Sequence, residues 1–220
     1  MLALMLKALL FDLDGTLADT NSVHRLAWVE MLKPYGYDVD WDFYLANITG
    51  RIATEVVADL SPDLSPEEVQ EIAEAKEANF REQAGTLKPF PGLLELIETG
   101  RKKGMRISLV TNAPKENVYT VLRVLGLEDA FDPVILADEV GVGKPDPAPY
   151  NAALQALHIS ADEAVAFEDS ASGIASSVAA NIPTVGIAST QEPEELEGPG
   201  VELIVRDFTD RKLIALIEGH

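Results

Sequence analysis

Asp12 and Asp14 stand one residue apart, directly after the apolar run Ala8-Leu9-Leu10-Phe11 and just before Gly15-Thr16. Two carboxylates this close repel each other unless a cation or a shared proton lies between them. The carboxyl end of a strand in an open α/β sheet is where ligands bind. The pair therefore reads as a nucleophile site. Other apolar runs end in the same way, as Leu109-Val110-Thr111-Asn112 and Ala166-Phe167-Glu168-Asp169, and a fourth leads through a glycine-bearing loop to Gly143-Lys144-Pro145-Asp146-Pro147. In a parallel sheet these ends share one edge, so a single pocket would gather carboxylates, a hydroxyl and an ammonium, the groups phosphoryl chemistry uses.

Each element also has a plainer reading. Asp-x-Asp-Gly could open a calcium loop, but such a loop started at Asp12 needs glycine sixth and glutamate twelfth, where this chain has Leu17 and Val23. Lys144 could be an exposed loop lysine, Thr111-Asn112 the cap of the next helix, and Glu168-Asp169-Ser170 an acidic helix start. Their convergence on one sheet edge favours the chemical reading.

The elements that must position these groups follow from the apolar pattern. Runs at 6–11, 106–110, 133–136, 163–167, 183–187 and 201–205 read as strands. Most are separated by segments of helical spacing, including 92–103, 115–125, 147–157 and 170–180. That alternation predicts an α/β fold with a doubly wound, Rossmann-like parallel sheet. The stretch 18–86 differs, with helical spacing at 20–34, 41–48, 51–59 and 66–84 and no buried strand. It reads as an insertion, and Ser65-Pro66-Glu67-Glu68 is a well-formed helix start. Trp28, Trp41, Phe43 and Tyr44 are expected in its core, and the acidic run 67–82 is expected to be a solvated face.

Composition narrows the partners. The 220 residues include no cysteine, which leaves oxygen or nitrogen as the nucleophile. A formal net charge of −20 disfavours nucleic acid and anionic membrane surfaces. An anionic substrate would then need a metal ion and a few placed cations to reverse the field locally. The run Met1–Leu10 is apolar but carries Lys7, lacks a small-residue cleavage site and is too short to span a bilayer. A cytoplasmic protein is expected.

With all four motifs in order, Asp12-Leu13-Asp14-Gly15-Thr16 first and most specific, the chain resembles the haloacid dehalogenase-superfamily phosphohydrolases over essentially its whole length. The resemblance implies a core domain of residues 1–17 and 87–220 and a helical cap of residues 18–86. It implies Mg²⁺ bound by the Asp12 carboxylate, the Asp14 carbonyl and Asp169, with Glu168 direct or through water. Asp12 would attack phosphorus to form an aspartyl-phosphate, and Asp14 would serve as general acid and then base. Thr111 and the Asn112 backbone would donate to the phosphoryl group while Lys144 balances its charge. The substrate would be a small phosphorylated metabolite. His24, Thr49, Gly50 and Arg51 are the cap's candidate substrate contacts; the plain reading of His24 is a partly buried, hydrogen-bonded helix residue, and that of Arg51 a surface charge.

A sugar-phosphate mutase similar to β-phosphoglucomutase is the nearest rival, because Asp19-Thr20-x-x-x-His24 resembles it. Where that enzyme carries Lys-Gly-x-x-Arg, however, this chain has Thr49-Gly50-Arg51-Ile52-Ala53, without the two cations. A dehalogenase has no need of the Asp14 acid or of the Glu168-Asp169 pair. A phospho-accepting signalling receiver would place its aspartate later in the chain and lack the insertion. A binding protein without turnover fits poorly with every catalytic position filled.

Overall fold

The structure, a computed structural model, describes residues 6–219; Met1–Met5 of the N-terminal run and His220 lie outside the described residues. The expected parallel sheet is present. Its strands are β1 (Ala8–Phe11), β2 (Arg106–Thr111), β3 (Val134–Leu136), β4 (Ala164–Glu168), β5 (Thr184–Ile187) and β6 (Val201–Val205). They lie in the order β3-β2-β1-β4-β5-β6. The order reverses between β1 and β4, and that switch point opens a crevice at the carboxyl ends of both strands.

Strand residues alternate between two packed faces. Leu9, Phe11, Ile107, Leu109, Val165 and Phe167 join the larger core. It is covered by α5 (Leu93–Lys102), α6 (Lys115–Leu125) and α10 (Arg211–Glu218). Ala8, Leu10, Val110, Ala164 and Ala166 face the other way. There they pack on α8 (Ala148–Leu157), with α9 (Ala171–Ala179) lying over β4 and β5. Because both faces are covered, the strands read as continuous apolar runs, which made them easy to place. At the centre Phe11 stacks on Phe167 with ring centroids 4.6 Å apart.

Between β1 and α5 run α1 (Thr20–Leu32), α2 (Trp41–Asn47), α3 (Ala53–Leu60) and α4 (Pro66–Gln83). Ser65 caps α4 through the reciprocal bonds of a capping box with Glu68. These helices share an apolar cluster that includes Trp28, Leu32, Tyr44, Ile48, Val56 and Val57. Trp41 departs from expectation: it is exposed, with Arg25 over its ring. The last turn of α4 and the residue that follows it instead join the larger core, through Phe80 and Ala84. Two helices were not anticipated, the four-residue α7 (Ala137–Val140) and α10, which Asp210 caps by accepting from the Lys212 and Leu213 N–H groups.

Candidate active site

Strand register sets the first contacts. Phe11 pairs with Leu109 on β2 and with Phe167 on β4, so Asp12 lies level with Val110 and Glu168. Lys144 comes from the loop before α8 and spans the switch point. Its Nζ donates to Asp12 Oδ1 at 2.5 Å and to the Val110 carbonyl at 2.8 Å, and lies 2.6 Å from Glu168 Oε1. The Tyr150 hydroxyl on α8 donates to the same Glu168 oxygen at 2.5 Å. All four side chains are buried. Burial opposes the Lys144 charge, but Asp12 and Glu168 outweigh it and hold the ammonium above its ordinary range. Asp12 is pushed up to about 8 by burial, with Glu168 and Asp14 adding to the shift against the pull of Lys144.

Asp12, Glu168 and Asp169 each present a carboxylate oxygen, and the three lie within 4.8 Å of one another. Glu168 Oε2 is buried with no hydrogen-bond partner. Such an atom is expensive to bury unless a cation takes it up. Two glycines keep the space around the cluster open: a Cβ at Gly173 would overlap the Glu168 carboxylate, and one at Gly15 would overlap Asp169 Oδ2. An all-oxygen set of this kind suits Mg²⁺, which prefers hard carboxylate and carbonyl ligands. Asn21 on α1 orients the cluster from the side, donating to Asp169 Oδ2 at 2.9 Å while its own Oδ1 accepts from the Tyr44 hydroxyl at 3.1 Å.

Thr111 and Asn112 meet this group at the end of β2. The Thr111 hydroxyl accepts from the Ala113 N–H, so it also shapes the turn into α6. The Asn112 side chain is occupied with Lys144, accepting from its N–H at 2.9 Å and donating to its carbonyl at 3.1 Å. A structural job therefore falls to a residue singled out for substrate.

Asp14 leads away from the sheet. His24 Nε2 lies 3.3 Å from Asp14 Oδ1, and Lys76 Nζ on α4 lies 2.8 Å from His24 Nδ1. An ammonium can only donate, so Nδ1 is the acceptor and the ring proton sits on Nε2, where it donates to Asp14. Phe80 stacks on the ring at 3.8 Å and 6°. Burial raises the Asp14 pKa, but His24, Thr20 and Lys76 together bring it below the usual carboxylate value. Lys76 is buried and held by Glu77 at 2.9 Å. The acidic stretch on α4 is thus not solvated throughout, because Lys76 and Glu77 turn inward. Sequence reading passed over Lys76, Asn21 and Tyr150; a lysine amid six glutamates was the one signal it offered.

Asp12, Asp14, His24, Lys76, Lys144 and Asp169 line a cavity of about 870 Å³ between the strand ends and α1–α4. Thr49, Gly50 and Arg51 form part of its wall. Gly50 has φ +73°, and a Cβ there would lie 2.8 Å from Ser172 Oγ at the start of α9. The Arg51 guanidinium is bonded to Asp59 and to the Asn47 carbonyl.

A family model described as haloacid dehalogenase-like hydrolase matches residues 9–187. The validoxylamine A 7'-phosphate phosphatase of Streptomyces hygroscopicus subsp. limoneus is 32% identical, with 94% of this chain and 96% of that protein aligned. A phosphorylated carbohydrates phosphatase of Thermotoga maritima is 31% identical over 82% of this chain and 84% of its own. The crystal structure of CbbY from Rhodobacter sphaeroides in complex with phosphate superposes with a TM-score of 0.86 at 27% identity, covering 97% of this chain and all of that one. Among the described residues no helix is long and apolar enough to cross a membrane.

Proposed function

Because the chain belongs to the haloacid dehalogenase-like hydrolases and is a phosphoric monoester hydrolase, we propose that it removes phosphate from a small phosphorylated sugar or sugar-like metabolite through an aspartyl-phosphate on Asp12, with Mg²⁺ as cofactor. One observation carries this reading: a buried carboxylate at the switch point, paired to Lys144 and set within 4.8 Å of two further carboxylates.

The Asp12 and Asp169 carboxylates and the Asp14 carbonyl would hold the ion, with Glu168 direct or through water; when bound, it supplies positive charge opposite the phosphoryl oxygens. Lys144 fixes the rotamer of Asp12 through Oδ1 and adds a second positive charge. Together these let an anionic nucleophile approach an anionic ester. Thr111 and the Asn112 N–H would donate to the transferring group from the neighbouring strand end.

Asp14 is a carboxylate in the free site; an anionic ester bound beside it would raise its pKa, so that it takes up a proton with the substrate and gives it to the leaving oxygen. His24 then stabilises the carboxylate that remains, since its Nε2 proton points at Oδ1. The ionised Asp14 would next take a proton from the water that hydrolyses the aspartyl-phosphate. Residues 18–86 would act as a cap over the cavity and supply specificity on closing. Arg51, drawn onto Asp59, makes a poor second-phosphate clamp, which favours hydrolysis over a mutase cycle.

The test is a phosphate-release screen over phosphorylated metabolites with and without Mg²⁺, with Asp12→Asn as blank. Release that needs Mg²⁺ and vanishes in the variant is expected. Equal turnover by the variant, or interconversion of hexose 1- and 6-phosphates by the wild type, would overturn the reading.

A further inference from the structure

Asn117 lies in the first turn of α6, five residues after Asn112, and its side chain is wholly buried. The other buried residues of α6 are Val118, Val121, Leu122 and Leu125, all apolar, so an apolar residue would be the ordinary choice at 117 as well. Both ends of its amide are used, and both partners lie on α4. Arg81 donates to Oδ1 at 2.9 Å, and Nδ2 donates to Glu77 Oε2 at 2.6 Å. A guanidinium only donates and a carboxylate only accepts, so the amide has a single allowed orientation. Glu77 and Arg81 are one turn apart, so Asn117 grips α4 at two points and fixes both its rotation and its height against α6.

The grip continues toward Asp14. The other oxygen of Glu77 accepts from Lys76, Lys76 donates to His24 Nδ1, and His24 donates to Asp14. Each contact is between buried or half-buried groups, where a misplaced partner leaves a polar atom unsatisfied. We propose that Asn117 is a positioning residue of the hydrolase site: by clamping Glu77 and Arg81 it sets the register of α4 on α6, and so holds Lys76 and His24 in line with Asp14. This rests on the role given to Asp14 above. It assigns to the first turn of α6 a task distinct from the phosphoryl contacts of Thr111 and Asn112.

The clamp can be broken at one end and rebuilt. Asn117→Asp keeps the acceptor for Arg81 but sets a carboxylate against Glu77. Adding Glu77→Gln restores a donor toward residue 117 while the amide oxygen still accepts from Lys76. Two readouts are taken on folded protein at pH 8: hydrolysis of para-nitrophenyl phosphate with Mg²⁺, and the ¹⁵N signature of the His24 ring, assigned among three histidines with a His24→Gln control. The single variant is expected to lower kcat about 10- to 100-fold with KM little changed, as for a catalytic group displaced by a fraction of an ångström to an ångström. It should also lose the wild-type pattern of an unprotonated Nδ1 and a protonated Nε2. The double variant should recover most of both. The proposal is overturned if Asn117→Asp leaves kcat and the ring signature unchanged, or if the folded double variant does no better than the single. Should the wild type hydrolyse no phosphate ester, the proposed reaction falls, and the ring signature alone then decides the clamp.

Discussion

Lys144 Nζ lies 2.5 Å from Asp12 Oδ1, joining residues 132 positions apart in the chain. The contact carries more than charge. Lys144 also donates to the carbonyl of Val110, and Asn112 holds the Lys144 backbone from both sides. One loop therefore ties the ends of β1 and β2 together. The rotamer of Asp12, the proposed nucleophile, is thereby locked before any substrate arrives, and preorganisation of this kind is where electrostatic catalysis gets its strength.

Asp12→Asn tests the nucleophile. The amide oxygen can still accept from Lys144, and removing a carboxylate from the acidic cluster relieves repulsion. The variant should melt at or above the wild-type temperature while phosphate release falls at least about 10³-fold. A folded variant with a tenth of wild-type turnover would contradict covalent catalysis at this position.

Lys144→Met keeps the unbranched stem of the side chain and deletes the ammonium. Asp12 and Glu168 then face each other across a buried site without their shared counter-ion. Losing one partner of a buried pair costs about 3–5 kcal/mol, so denaturant unfolding should shift to clearly lower concentration, and kcat should collapse. Unchanged stability would mean that the pair is not buried as described.

Gly173→Ala probes the carboxylate cluster proposed to hold Mg²⁺ without replacing any of its members. The new methyl group would meet the Glu168 carboxylate, which has no room to retreat between Tyr150 and Lys144. Half-saturation by Mg²⁺ should rise about tenfold or more, in line with the effect of disturbing the groups that orient metal ligands. A Mg²⁺ titration of activity checks this, and an unaltered midpoint would place the ion elsewhere.

The strands and their polar ends could be read because each depends on short-range pattern: Phe11-Asp12 and Phe167-Glu168 are an apolar run and its abrupt stop. The helix α4 announced itself through Ser65-Pro66-Glu67-Glu68, a capping serine followed by proline and an acidic first turn. α7 was missed because four residues carry no periodicity, and α10 because its buried positions, Leu213 and Ile217, have only one repeat in which to show. What stayed hidden in the site is tertiary. Lys76 is 52 residues from His24, and Asn21 is 148 from Asp169; neither spacing leaves a local trace. Lys76 was masked further by the glutamates around it, which made its helix face look solvated. Asn112 was found for the right pocket, but its grip on Lys144 could not be read from two dipeptides 32 residues apart.

The buried carboxylates give stability a definite dependence on pH and metal. Asp12 has an ordinary pKa of 3.8 and a folded value of about 8 in the metal-free site. An acid whose pKa is raised by folding favours the native state while it carries its proton. Its contribution is complete below about pH 4 and is lost as the pH climbs through about 8. Asp169 is shifted in the same direction, by burial first and then by Asp12 and Glu168, so it adds to the trend. A cation bound by the cluster competes with those protons and replaces them as the pH rises. Mg²⁺ should therefore raise the melting temperature little near pH 5 and increasingly toward pH 8, through the linkage of ligand binding to folding. Thermal melts of chelator-treated protein across that range, with and without millimolar Mg²⁺, measure the effect directly. A Mg²⁺ shift that is absent, or equal at both ends of the range, would show that the carboxylates at the ends of β1 and β4 do not share an ion.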